Sequence, residues 1–145
     1  MVTIKCANKE NVLEDPEMVE MLKGVLSDGV STSVAINYLR QKCDIYEVCT
    51  NEVAIGYFTS EKINDSGFME CHAYIYPDKR KYSIRALKAI VEYNRERGCG
   101  VHTSVLGNFP HVLRILKSIG FSITKVEDSA FTKEGILYPI FHLSN

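Results

Sequence analysis

The chain has 145 residues, the size of one domain and enough for a real core. Its hydrophobic fraction of 46% and charged fraction of 24% are ordinary for a soluble globular protein. A formal net charge of −1 excludes a field that would draw the whole molecule to nucleic acid, so no nucleic-acid partner is expected and only a local basic patch stays open.

The N-terminal stretch Met1-Val2-Thr3-Ile4-Lys5 lacks the long apolar run of a signal peptide, and no segment approaches the length of a membrane span. The five cysteines are Cys6, Cys43, Cys49, Cys71 and Cys99. Their odd number and lack of CxxC spacing predict scattered, mostly buried thiols in a reducing compartment, hence a cytoplasmic protein. No group of histidines, cysteines and carboxylates has metal-site spacing, so no metal is expected.

Val2–Cys6 alternates and reads as a first strand. Asp15 before Pro16 is an N-cap followed by a proline at the first helical position. Met18, Val19, Leu22, Val25 and Leu26 follow at helical spacing, and Ser27-Asp28-Gly29 ends that helix. Ser31-Thr32-Ser33 opens a second helix carrying Val34, Ala35, Tyr38 and Leu39. Residues 44–49 and 53–59 should form an antiparallel hairpin about Thr50-Asn51-Glu52. Residues 68–76 form a further strand, with Met69, Cys71, Ala73 and Ile75 on one face and Glu70, His72, Tyr74 and Tyr76 on the other. Pro77 ends it. The basic loop 78–82 then runs into Ser83, a candidate N-cap for a helix with Ile84, Leu87, Ile90 and Val91, stopped at Gly98. Residues 101–106 are a strand. Asn108 and Pro110 open a helix with stripe Val112, Ile115, Leu116 and Ile119, ended by Gly120. Residues 121–127 and 136–143 read as a closing hairpin. The order is β-α-α-β-β-β-α-β-α-β-β, with no repeat or linker. It predicts a single α/β domain over residues 1–145, with a mixed, mostly antiparallel sheet, a central parallel strand pair and about four flanking helices.

That order resembles the fold of the GNAT N-acetyltransferases. In that family the fourth strand leads into a pyrophosphate loop of pattern Arg/Gln-x-x-Gly-x-Gly/Ala, often just after a proline. Here Pro77 precedes Arg80-Lys81-Tyr82-Ser83-Ile84-Arg85, which keeps the arginine and the following helix but has Ser83 and Arg85 at the two small positions. A later GNAT helix often runs from Asn to Gly-Phe, as Asn108 to Gly120-Phe121 does here. Gly107-Asn108-Phe109-Pro110-His111 with Leu116-Lys117-Ser118-Ile119-Gly120 further resembles small tailed-phage proteins of GNAT-like fold, some of them internal virion or head-assembly proteins. That likeness implies a bacteriophage protein, located in the host cytoplasm or the virion.

The resemblance implies acetyl-CoA as cofactor, bound by Arg80, Lys81, Tyr82, Ser83, Ile84, Arg85 and Asn108. A helix N-terminus with added basic charge suits a pyrophosphate, although Ser83 and Asn108 read equally as helix caps. It also places Glu70 and then His72 as candidate general bases, since an amine must lose a proton before attacking a thioester. His72 has a near-neutral reference pKa, while Glu70 would need burial to raise its own. Leu116 stands where the family has the tyrosine that protonates the leaving thiolate, with Tyr82 or His111 as substitutes. His102 reads as a satisfied core histidine, and His142 as structural with no obvious partner.

Three functions follow. One is an acetyl-CoA-dependent N-acyltransferase acting on a small-molecule or protein amine, with a degenerate cofactor loop. The second is a catalytically inactive relative acting with phage virion proteins in assembly or DNA ejection, favoured by Ser83, Arg85 and Leu116. The third is a homodimeric module binding through aromatic edge hairpins (Tyr57, Phe58, Phe131, Tyr138, Phe141).

Overall fold

The computed structural model describes residues 1–145. A seven-stranded sheet runs in the order β1-β2-β3-β4-β5-β7-β6, built from β1 (Val2–Cys6), β2 (Asp44–Thr50), β3 (Val53–Lys62), β4 (Phe68–Ile75), β5 (Gly100–Leu106), β6 (Ser122–Lys133) and β7 (Ile136–Ser144). Every neighbouring pair is antiparallel except β4 and β5, which are parallel and joined through a helix. This is the expected mixed sheet with its central parallel pair.

Strand alternation divides the core into two layers. On one face, α4 (Ser83–Arg95) and α5 (Pro110–Ser118) bring Ala86, Ile90 and Leu116 against Val48, Phe58, Cys71, Ile75, Val101, Val105 and Leu143. On the other face, α1 (Lys9–Glu14), α2 (Pro16–Gly24) and α3 (Thr32–Lys42) bring Val12, Leu13, Met18, Leu22 and Leu39 against Ile45, Tyr57 and Tyr74. Phe58 is fully buried, and burying a side chain of that size stabilises by roughly 1.5–3 kcal/mol.

Asp15 ties the helical layer to the sheet. Its Oδ1 caps α2 by accepting from Glu17 N at 3.0 Å. Its Oδ2 accepts from the hydroxyls of Tyr57 at 3.0 Å and Tyr76 at 2.8 Å. A second tie joins distant parts of the chain. The turn after α2 meets the far end of the β6–β7 hairpin, where Ser27 Oγ accepts from Thr132 N at 3.0 Å and Asp28 N donates to Thr132 O at 2.7 Å. The Asp28 carboxylate accepts from Glu134 N and Gly135 N, and Lys133 Nζ donates to the carbonyls of Lys23 and Leu26.

The structure corrects several expectations. A short helix, α1, precedes α2; it is capped by Asn8, whose side chain accepts from Asn11 N, and it buries Val12 and Leu13. Residues 77–82 are a 3-10 helix and not an open loop, so the chain is already helical at Ser83. Ser83 therefore caps nothing; Tyr82 is the N-cap of α4 and makes no side-chain cap bond. In α3, Val34 and Tyr38 face solvent while Leu39 is buried. Tyr38 hydrogen-bonds the Glu61 carboxylate on β3. The aromatic hairpin surface does not form: Tyr57, Phe58 and Phe131 are buried, and Tyr138 and Phe141 are half-buried.

Cys43, Cys49 and Cys71 are buried, Cys99 is half-buried and Cys6 is exposed. Burial pushes the thiols of Cys43, Cys49 and Cys71 up to about 11, so their thiolates are scarce at neutral pH. A thiol reagent should modify Cys6 first and Cys99 next in native protein, and all five thiols once the chain is unfolded without reductant. Rapid native labelling of Cys43, Cys49 or Cys71, read by mass spectrometry of peptides, would contradict this core.

Candidate active site

The parallel strands stay together for a short distance only. Phe68 pairs with Gly100, Met69 with Val101 and Glu70 with His102, and beyond that β4 and β5 have no register in common. Past that point β5 keeps β7 as a partner through Leu106, and β4 keeps β3. The separation opens a largely apolar cleft of about 940 Å³ between the two strands, reached by α2, the start of α4 and α5. Ala73 shows the consequence directly: it is exposed in the middle of a central strand.

On the α2 side of the cleft lie His72 and Tyr74 from β4, Ser104 and Leu106 from β5, and Met21, Val25 and Leu26. Val25, which shares the helical spacing of Met18 and Leu22, is thus a cleft wall. Glu70 sits one pleat before His72, where the strands are still paired. Its Oε1 lies 3.0 Å from His72 Nε2, and its Oε2 hydrogen-bonds His102 Nδ1. Burial alone would raise the Glu70 carboxyl, but the hydrogen bonds and charge of His72 and His102 outweigh it and hold it below the ordinary glutamate value. Glu70 is therefore an ionised carboxylate set between two imidazoles. It accepts from His102 Nδ1, which leaves His102 Nε2 as a lone-pair nitrogen, and it approaches His72 on the Nε2 side, away from His72 Nδ1. The burial-raised Glu70 that would serve as an efficient base at neutral pH is not present, and His72 is the residue of this pair that lines the cleft.

His102 and His142, both read from sequence as structural, belong to the same polar row. Their rings stack with centroids 5.7 Å apart, and His142 Nε2 lies 2.6 Å from Glu127 Oε1. Glu127 is the partner that sequence alone did not supply for His142. It comes from β6 two residues along from the register partner of His142, and a register irregularity between Glu127 and Phe131 separates this stretch from the hairpin turn.

The expected cofactor residues gather at the other end of the cleft. Arg80, Lys81, Ser83 and Ile84 line it, while Tyr82 and Arg85 do not. Arg80 Nε donates to Ile75 O at 2.8 Å, holding the guanidinium at the end of β4. Lys81 and Arg85 both lie over the Tyr82 ring, at 5.1 and 5.0 Å from its centroid. The Ser83 N–H is committed to Arg80 O by the 3-10 helix and is not a free amide donor. The first turn of α4 holds no acidic side chain. Asn108 does not cap α5, whose N-cap is Phe109; its Oδ1 is buried without a hydrogen-bond partner. Leu116 is buried at the cleft's α5 wall, where His111 also lies, exposed and beside Phe109.

Neither a protein-family model nor a curated protein sequence matches the chain. Solved structures do match it over nearly its full length. A putative phosphinothricin N-acetyltransferase superposes with a TM-score of 0.77 at 13% identity, covering 100% of this chain and 98% of that one. The ribosomal-protein-S18-alanine N-acetyltransferase from Escherichia coli gives 0.74 at 11%, covering 99% and 92%. YncA, a putative acetyltransferase from Salmonella typhimurium solved with its cofactor acetyl-CoA, gives 0.71 at 15%, covering 99% and 92%. The chain has the GNAT acetyltransferase fold. At these identities the likeness concerns the GNAT fold alone, and its site residues rest on the geometry described above.

Because the folded pKa of Glu70 is depressed, its ionisation contributes stability above the unfolded pKa, and this is lost as pH falls through the folded value. Glu70→Gln should therefore be less stable than wild type near neutral pH, with the difference vanishing at pH below both pKa values. Urea unfolding at stepped pH measures this, and a difference that persists in acid would reject it.

Proposed function

We propose that this protein is an acetyl-CoA-dependent N-acetyltransferase for a primary amine, with His72 as general base and Glu70 as the residue that orients it. The observation that carries this reading is the cleft itself. A slot between two parted parallel strands runs from a basic helix start to a carboxylate-held imidazole. The residues present suit acetyl-CoA in three respects. Arg80, Lys81 and the uncapped start of α4 offer positive charge and backbone donors for a pyrophosphate. The walls suit an aliphatic arm. Outside the lining, but between the lining residues Leu106 and Phe109 in the chain, the buried Asn108 Oδ1 is an acceptor without a donor.

Bound there, acetyl-CoA supplies an acyl group activated as a thioester. His72 Nδ1 takes the proton that an acceptor ammonium must lose, and Glu70 stabilises the imidazolium that results. His111 is the cleft imidazole on the α5 side and takes the place of the family's tyrosine as the donor to the departing sulfur.

A second reading is a protein of this fold that has lost the chemistry and acts in phage particle assembly. It is favoured by Leu116 at the thiolate-protonating position and by the commitment of the Ser83 amide. Calorimetric titration separates the two, since a chain that binds no acetyl-CoA at millimolar concentration is not an acetyl-CoA enzyme. If it binds, Arg80→Ala should weaken affinity by roughly tenfold or more, the loss of one charge-assisted phosphate contact. His72→Gln should leave that affinity unchanged and slow acetylation of an accepted amine by roughly a hundredfold or more, the usual contribution of a positioned base. Equal losses of affinity in both variants would reject this division of roles.

A further inference from the structure

We propose that His102 is a positioning residue that shares one carboxylate with the base, so that a proton on His102 opposes a proton on His72. This rests on the reading of His72 as base only for its effect on catalysis; the coupling is a property of the free protein. The two imidazoles occupy opposite oxygens of Glu70, His72 at Oε1 and His102 at Oε2. Each can become an imidazolium whose nearest counter-ion is the same Glu70 carboxylate. The first proton bound has that carboxylate to itself. The second adds a like charge beside a carboxylate that is already paired, at a partly buried position where screening is weak. Such a pair titrates with macroscopic midpoints that belong to neither residue alone.

Arg80 and Lys81 line the same cleft as His72, from the start of α4, while the Glu70 carboxylate itself is contacted by the two imidazoles. On β3, Glu61 is the register partner of Glu70, and its carboxylate is engaged by Tyr38 of α3. On the β7 side the stacked His142 faces His102, with its own carboxylate in Glu127 of β6. From α2, Glu17 and Glu20 reach the same cleft as His72. Buried Cys43 and Cys71 complete the titratable surroundings, and burial keeps both thiols protonated. The imidazole that shares a carboxylate with His72 is thus His102, with His142 stacked behind it. Protonation of His102 makes His72 less able to accept the amine's proton, so the base is tuned by a residue that never touches substrate.

The test is an imidazole NMR titration of the cofactor-free chain, comparing wild type with His102→Gln and His72→Gln. Glutamine keeps an N–H donor for Glu70 but cannot be protonated. The expected result is that the lower of the two wild-type midpoints rises by about a pH unit or more in the variant lacking its partner imidazole. Midpoints unchanged in both variants, with native amide spectra, overturn the proposal. If glutamine at either position prevents folding, the wild-type curves still decide: two independent single-site titrations overturn it, and two curves that each bend at the other's midpoint support it. In the activity assay, the acid limb of kcat/KM should follow the His72 midpoint. Coupled titrations with an acid limb that ignores them would sink His72 as base while leaving the coupling intact.

Discussion

A parallel strand pair at the centre of a sheet normally buries itself along its whole length, since unpaired backbone groups are costly away from water. Here β4 and β5 part after Glu70 and His102, and the unpaired remainder of each strand becomes a wall. The arrangement survives because each strand keeps its outer neighbour, β3 for β4 and β7 for β5, and because Arg80 satisfies the Ile75 carbonyl at the end of β4. Close approach of the strands elsewhere makes the parting local. Gly56 on β3 lies so near β4 that a Cβ there would meet Tyr74 O at 2.2 Å. Everything chemical in the molecule depends on that separation, from the exposure of Ala73 to the access of His72 to the cleft.

The last paired residues also carry the charge. Glu70 and His102 sit opposite each other at the fork, one register step from open space, and His72 is the first side chain on that face beyond it. The carboxylate is partly buried where it can be enclosed by donors, and the imidazole lies where it can be reached. A carboxylate placed two residues further along β4 would be more open to solvent and would orient nothing behind it. Basic groups from the α4 start and acidic groups from α2 both line the cleft, so it carries charge of both signs even though the net charge of the chain is −1.

Much of the frame was legible from period alone. The clean alternation of residues 68–76 placed Glu70, His72 and Tyr74 on one face, and Asp15-Pro16 marked the start of α2 with its mechanism. The helix α1 escaped because six residues with only Val12 and Leu13 buried leave too little pattern to separate from a loop. Ser83 misled because capping residues announce helix starts only when the preceding backbone is extended, and the 3-10 turn removes that condition. The histidine row was illegible for a different reason. His102 meets Glu70 through a parallel register set by the whole β4–α4–β5 unit, and His142 meets Glu127 in a part of the β6–β7 ladder offset from its turn by an irregularity between Glu127 and Phe131. Neither offset can be read from the spacing of residues along the chain.

The contact between Ser27, Asp28 and residues 132–135 closes a loop of about a hundred residues, and it fixes the end of α2, which walls the cleft. During synthesis the N-terminal helices leave the ribosome long before the segment that anchors them. The order of events in folding therefore runs opposite to the order of the chain at this site: α2 can form early, but the pocket it borders acquires a settled wall only when β6 and β7 dock. Contacts of such long separation close at high entropic cost, which favours a late settling of the α2 wall of the cleft during folding.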